Sequence, residues 1–243
     1  MAPRLYLDWN ATAPLRPEAR AAMLAALDLA GNPSSVHAEG RAARAAVERA
    51  RAQVAALVDC APEEVIFTSG ATEAAGVLAS PAFGEVRVDP TAHDCLAVHA
   101  RRGGAGRAVL AWGWANNETG VIAEPPERDA EALLLIDATQ AAGRIAFSFR
   151  RSGADLAILS AHKLGGPKGV GALIVRAGLD LPPVQAGGGQ EGRRRAGTEN
   201  LPGIAGFGAA AEAAAAERDA GAWERTAQVR NILERRLSDA VPE

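Results

Sequence analysis

Lysine is almost absent from this chain. Of 26 basic residues in 243, only Lys163 and Lys168 are lysine, and the rest are arginine. A guanidinium can stand in for an ammonium wherever charge alone is needed, but not where an amine must lose its proton. The scarcity therefore points to the one short segment that holds both lysines. Cysteine is as rare: Cys60 and Cys95 cannot build a disulfide framework, and no Cys-x-x-Cys pair offers a metal site. No apolar run reaches the roughly 18 residues of a membrane span. The first residues lack the basic-then-apolar order of a signal peptide. Neither charge sign dominates, with a net charge of −3, and Arg193-Arg194-Arg195 is too short for a nucleic-acid footprint. With 48% apolar and 23% charged residues, the composition is that of an ordinary globular protein. These absences lead us to expect a cytoplasmic protein with no membrane or nucleic-acid partner, one large domain or one and a fraction.

What is present alternates. Residues 5–8 read as a short strand, and residues 17–29 as an Ala/Leu helix opened by Pro17. Residues 35–58 read as a longer helix, with Val47, Val54, Leu57 and Val58 on one face and arginines on the other. Strands are expected at 64–68, 85–88, 108–114, 133–137, 155–160 and 170–176, several of them near-continuous in Val, Ile and Leu. Helices are expected at 71–79, 92–102 and about 203–238. This order predicts a three-layer α/β/α sandwich with a mostly parallel mixed sheet. Ligands in such sheets sit at the carboxyl ends of strands.

Three polar clusters fall at those ends. Thr68-Ser69-Gly70-Ala71-Thr72-Glu73 follows a strand and opens a helix, so the amides of Ala71 and Thr72 would face an anion; an ordinary capping turn reads equally from the same residues. Asp137-Ala138-Thr139-Gln140 ends the strand LLLID. A buried carboxylate there needs a partner, which a protonated cofactor ring nitrogen or a helix N-terminus would supply. Ser160-Ala161-His162-Lys163 follows the strand DLAILS, where a lysine flanked by Ser and His fits condensation with a carbonyl cofactor. The adjoining GGPKGVG fails the spacing of a phosphate-binding Walker loop. His93-x-Cys95-x3-His99 suggests a metal only superficially, because on a helix His93 and Cys95 face different ways; no metal is expected.

Taken together, the segments LYLDWNATAPL, GNPSSVHAEGRAA, FTSGATEA, ANNETGVI, DATQAAG, SAHKLGGPKGVGAL and GGGQEGRRRAGTENLPGIAGF resemble the successive motifs of the cysteine desulfurases. Those are pyridoxal-phosphate enzymes of the class V aminotransferase group, with the large-domain fold of aminotransferase fold type I. The resemblance runs through essentially the whole chain. It implies pyridoxal 5'-phosphate as cofactor and Lys163 as the lysine that carries it and later moves the substrate α-proton. Asp137 then keeps the pyridine nitrogen protonated, and Gln140 donates to the ring's phenolate oxygen. By the same resemblance His93 stacks on the ring and takes part in proton transfer, and Asn117 lies beside the cofactor. Ala71, Thr72, Ser160 and His162 would cradle the phosphate. Thr198 would reach the phosphate of another subunit, implying a homodimer. The implied reaction converts L-cysteine to L-alanine and passes sulfur, as an enzyme persulfide, to an acceptor or scaffold protein, with iron–sulfur cluster assembly as the expected use.

The resemblance also has departures. The connection from His93 to Asn116 is shorter than usual in the family, and Ala74-Ala75 and Ala196 replace an Asn pair and a Ser. The catalytic cysteine and the substrate-clamping arginine of the family lie beyond Glu243, and Cys60 and Cys95 match no catalytic position. We therefore expect three parts: 1–16, belonging with a small domain; 17–221, the cofactor-binding large domain; and 222–243, a helix leading into a small domain that is missing or truncated. This chain alone is expected to bind cofactor but to turn over cysteine poorly or not at all. Two rivals are a different class V aminotransferase or lyase, and a non-catalytic fragment that keeps the fold.

Overall fold

The structure, a computed structural model, describes residues 4–241. In chain order the elements are α1 (Pro17–Leu27), α2 (Ala38–Val58), β1 (Val65–Thr68), α3 (Ala71–Ala75), β2 (Phe83–Val88), α4 (Asp94–Ala97), β3 (Arg107–Gly113), β4 (Leu133–Asp137), α5 (Phe149–Ser152), β5 (Leu156–Ser160), β6 (Gly171–Val175), α6 (Leu201–Asp219) and α7 (Ala222–Ala240). The six strands form one sheet in the order β1-β6-β5-β4-β3-β2. Strands β2 to β5 are parallel, and β6 runs antiparallel to both β5 and β1. The expected mostly parallel mixed sheet is what forms.

Side-chain alternation along the strands builds the layers. On β4, Leu134 and Ile136 face a core shared with α1, α2 and α6, while Leu133 and Leu135 face a second core with Leu78 and Leu96. These four side chains are fully buried, which stabilises by about 1.5–3 kcal/mol each. Covering both faces is why the strand reads as an unbroken apolar run. The first helix layer packs closely: a Cβ added at Gly208 of α6 would lie 2.5 Å from Cα of Ala50 on α2. Alanine and glycine bring these helices together where larger side chains would hold them apart.

The second helix layer is thinner than the sequence predicts. The expected helix 71–79 is α3 followed by a 3-10 turn at Gly76–Ala79, and the expected helix 92–102 shrinks to α4. Arg101 explains the second loss. Its guanidinium donates to the carbonyls of Leu78, Phe83 and Gly84, and its backbone pairs with Val86, so the chain there runs extended beside β2. The expected helix 203–238 is two helices, interrupted where Gly221 takes a left-handed φ of +72°. Residues 5–8 form no strand, because no described segment pairs with them. Instead the Tyr6 hydroxyl donates to the carbonyls of Asp8 and Thr12 and folds the segment into a turn.

Two further points concern α2 and the chain ends. Arg41, Arg44 and Arg49 lie on the exposed face as expected, but Arg51 is buried. The segments 1–16 and 222–243 are described only from residue 4 and only as far as residue 241. Within them Leu5, Leu7, Val229, Ile232, Leu233 and Leu237 are exposed. No helix among the described residues is long and apolar enough to cross a membrane.

Candidate functional site

The carboxyl ends of β2, β3, β4 and β5 open onto one cavity of about 570 Å³. Ser160, His162 and Lys163 enter it from the end of β5 and the turn beyond. Asp137 and Gln140 enter from the end of β4, and Asn117 from the segment after β3. His93 comes from the turn between β2 and α4, and Ala71 and Thr72 from the start of α3. Of the residues that the resemblance assigns to the site, only Thr198 lies away from this cavity; it is exposed in the segment before α6.

Asp137 is paired in register with Gly113 of β3, so no neighbouring side chain crowds it from that strand. Its Oδ1 accepts the Thr139 amide at 2.9 Å. Among the described residues no basic nitrogen lies within 4.0 Å of it. Burial pushes the Asp137 carboxyl above the usual range, opposed by the Thr139 hydrogen bonds and the charges of His93 and Lys163. A carboxylate in that position is stabilised by any cation brought to it.

Lys163 has the opposite problem. Burial lowers its pKa first, and the nearby Arg144 charge lowers it further, against the favourable charges of Asp137 and Asp8. Its Nζ donates to the main-chain carbonyl of Asn10 at 2.6 Å. That carbonyl also accepts Nε2 of Gln140 at 3.0 Å. Nδ1 of His162 lies 3.1 Å from Oγ1 of Thr12, and burial, with the charges of Lys163 and Lys168, lowers the His162 pKa. The segment 10–16 is thus laced to the turn after β5, with the amides of Ala13 and Arg16 donating to His162 and Gly165 carbonyls.

His93 caps α4: its Nδ1 accepts the Cys95 amide at 3.1 Å. The neutral ring therefore carries its proton on Nε2. Cys95 is buried beside it, and burial pushes its thiol up to about 12, with Asp137 and Asp94 adding to the shift. Cys60 is half-buried and likewise pushed up to about 12 by burial, with Glu64 next. Neither presents a thiolate near neutral pH.

Two ion pairs hold the segment that carries Thr198. Arg51 forms a two-pronged pair with Glu191, at 2.7 and 2.9 Å, and the Phe67 amide donates to the same carboxylate at 3.0 Å. Glu191 adopts a φ of +48° and Arg193 one of +67°, backbone conformations this anchoring sustains. Arg195 donates to Glu73 at 2.9 Å. Burial opposes ionisation of Glu73, but hydrogen bonds from Arg195 and Ser69 outweigh it and hold the carboxyl below its usual range.

Several residues in or next to the cavity were given no role in sequence. Asn10 acts through its main-chain carbonyl, which no side-chain pattern reports. Thr139 is buried, lines the cavity, and its hydroxyl has no hydrogen-bond partner. Asp89 is buried and takes both the amide and hydroxyl of Thr91 on Oδ1. Arg144 contacts the lysine from behind. Asn10 and Thr139 lie within quoted motifs, whereas Asp89 and Arg144 carried no signal in sequence.

Among known proteins, the aminotransferase class-V family profile matches residues 5–93 and 104–242. The unmatched stretch falls in the short connection around α4. The chain is 42% identical to a cysteine desulfurase of Frankia sp. (strain EuIK1), over 87% of this chain and 62% of that protein. It is 36% identical to cysteine desulfurase 2 of Trichormus variabilis, over 98% of this chain and 69% of that protein. The crystal structure of a NifS-like protein from Rickettsia africae matches the fold with a TM-score of 0.88 at 28% identity, covering 97% of this chain and 75% of that one. The chain spans less than two thirds of the length of the Frankia relative. With an α/β sheet of this order and a profile match over nearly all of its length, the chain belongs to the aminotransferase class-V family, and it is similar to cysteine desulfurases.

Proposed function

We propose that the cavity holds pyridoxal 5'-phosphate on Lys163 and acts on the amino group of L-cysteine. The observation that carries this reading is one cavity containing both a depressed lysine amine and a half-buried carboxylate with no basic nitrogen among the described residues within 4.0 Å of it. The residues fit the group. Asp137 would hold a protonated ring nitrogen, which answers its own burial. The open amides of Ala71 and Thr72, with Ser160 and His162, would take the phosphate. Gln140 and Asn117 would flank the ring, and Thr198 of a second copy would complete the phosphate site in a homodimer. When bound, pyridoxal phosphate supplies a carbonyl that condenses with amines and a ring that withdraws electrons from the attached carbon.

The chain's own groups divide the remaining work. Lys163, depressed toward its neutral form, holds and returns a proton at Nζ. His93, with Nδ1 engaged by the Cys95 amide, has Nε2 free to exchange a proton in the cavity. In the whole reaction L-cysteine and a protein thiol would give L-alanine and a persulfide, whose sulfur passes to an acceptor or scaffold protein, as in iron–sulfur cluster assembly. Cys60 and Cys95 do not serve as that thiol, since burial keeps both protonated. We assign residues 17–221 to the cofactor-binding domain and the flanking segments 1–16 and 222–243 to a smaller one, in a cytoplasmic enzyme; the exposed leucines of both segments support the domain assignment.

The test is a spectroscopic titration. Pyridoxal phosphate should give the protein a visible absorption band that Lys163→Ala abolishes, and L-cysteine should alter that band. A colourless wild-type protein would contradict the cofactor. A band altered by other amino acids but not by cysteine would contradict the substrate and favour another class V reaction.

A further inference from the structure

Arg144 lies behind Lys163 without a carboxylate. Its NH1 donates to Oδ1 of Asn10 at 2.8 Å and Oε1 of Gln140 at 2.6 Å. Its NH2 donates to the carbonyls of Trp9 at 3.1 Å and Lys163 at 2.8 Å. All four acceptors are neutral, and among the described residues no carboxylate oxygen lies within 4.0 Å. Asn10 completes the arrangement: its carbonyl accepts from Lys163 Nζ and Gln140 Nε2, and its own Nδ2 donates to the Asn117 carbonyl at 3.0 Å. One planar fork therefore joins the main chain of residue 163 to the segment whose carbonyl holds that residue's amine. Only arginine spans such a set, because its donors are fixed in a plane.

We propose that Arg144 is a positioning residue for Lys163, clamping the Asn10 carbonyl against the amine and leaving an unneutralised positive charge beside it. The inference rests on reading Lys163 as the cofactor lysine. Other charged groups bear on the same amine: Asp137 and Asp8 favour its protonated form, and His93, His162 and Lys168 line the shared cavity. The nearby positive charge of Arg144 opposes the ammonium and favours the neutral amine that attacks a carbonyl.

The test follows attachment directly, without turnover. Pyridoxal phosphate is added to the full chain across a pH series, borohydride fixes the adduct, and the modified fraction of Lys163 is read by mass spectrometry. In the wild type the midpoint should lie below the ordinary lysine value of 10.5. Arg144→Gln should raise it by roughly half a unit or more, because the opposing charge is gone. Arg144→Lys should restore the midpoint but bind pyridoxal phosphate several-fold more weakly, since an ammonium cannot bridge four acceptors. An arginine with a merely structural role would alter stability and leave the midpoint in place, and that result overturns the proposal. Asn10→Ala tests the clamp without disturbing the charge: the midpoint should not rise, and affinity should fall about threefold or more. Unchanged affinity would contradict the clamp. No modified Lys163 in the wild type at any pH would sink the cofactor reading and this inference together. A normal wild-type profile with unaltered variants would sink this inference alone.

Discussion

Arg51 and Arg144 are both drawn into the fold, and both lie over aromatic rings, 5.0 Å from the centre of Phe67 and 6.0 Å from that of Trp223. They differ in what answers their charge. Arg51 faces Glu191, whose side chain is only 2% exposed. Burial alone would lower the Arg51 pKa, but the Glu191 pairing more than offsets it. Arg144 has neutral oxygens only, and burial lowers its pKa. A neutralised guanidinium spends its charge on its partner and acts as a fastening. One without a carboxylate keeps a field, which in this fold falls on Lys163. The same residue type thus holds the loop of Thr198 at the β1 edge of the sheet and tunes the chemistry at the carboxyl end of β5.

That contrast is sharpest under substitution. Arg51→Met should cost about 3–5 kcal/mol in denaturant unfolding, because Glu191 is left as a buried, unpaired charge. The attachment midpoint of Lys163 should not move. Replacing Glu191 with Leu as well should recover much of the loss. A cost under about 1 kcal/mol for the single change would mean the pair is not a fastening. Arg144→Gln should show the reverse pattern, a displaced midpoint with a smaller stability cost of about 1–2 kcal/mol.

Acid should separate the ion pair near the loop from the rest. Glu73 has its folded pKa depressed from 4.5. Its stabilisation is therefore fully present above that value and is lost as pH falls through the depressed one. Glu73→Gln should remove about 1 kcal/mol at neutral pH and flatten the acid limb of a stability profile. An unchanged acid limb would show that the Arg195 pair does not report on folding. The smallest effect is expected for Cys60→Ala, about 1 kcal/mol or less by loss of packing, with cofactor attachment unaltered. A loss of attachment there would give Cys60 a role its buried, protonated thiol does not support.

How legible all this was in sequence depended on whether a feature was carried by side chains. The apolar run LLLID announced a strand covered on both faces, and β4 is one. The turn holding Lys163 stood out because lysine is otherwise missing from an arginine-rich chain. That same richness concealed Arg144, one arginine among many. Asn10 was hidden for another reason: the atom that meets Lys163 is a main-chain carbonyl. The helix expected at 92–102 was lost to Arg101, whose guanidinium binds carbonyls of a sequence-distant turn, and no local propensity encodes such a contact. Residues 5–8 have strand composition, but a strand needs a neighbour.

The central claim is that Lys163, and not the other lysine five residues on, is the cavity's reacting amine. Its most direct measurement is peptide mapping of the wild-type protein after exposure to pyridoxal phosphate and borohydride near neutral pH. A single reduced adduct on Lys163 is the predicted result. An adduct on Lys168 in its place, or none on either lysine, would contradict it.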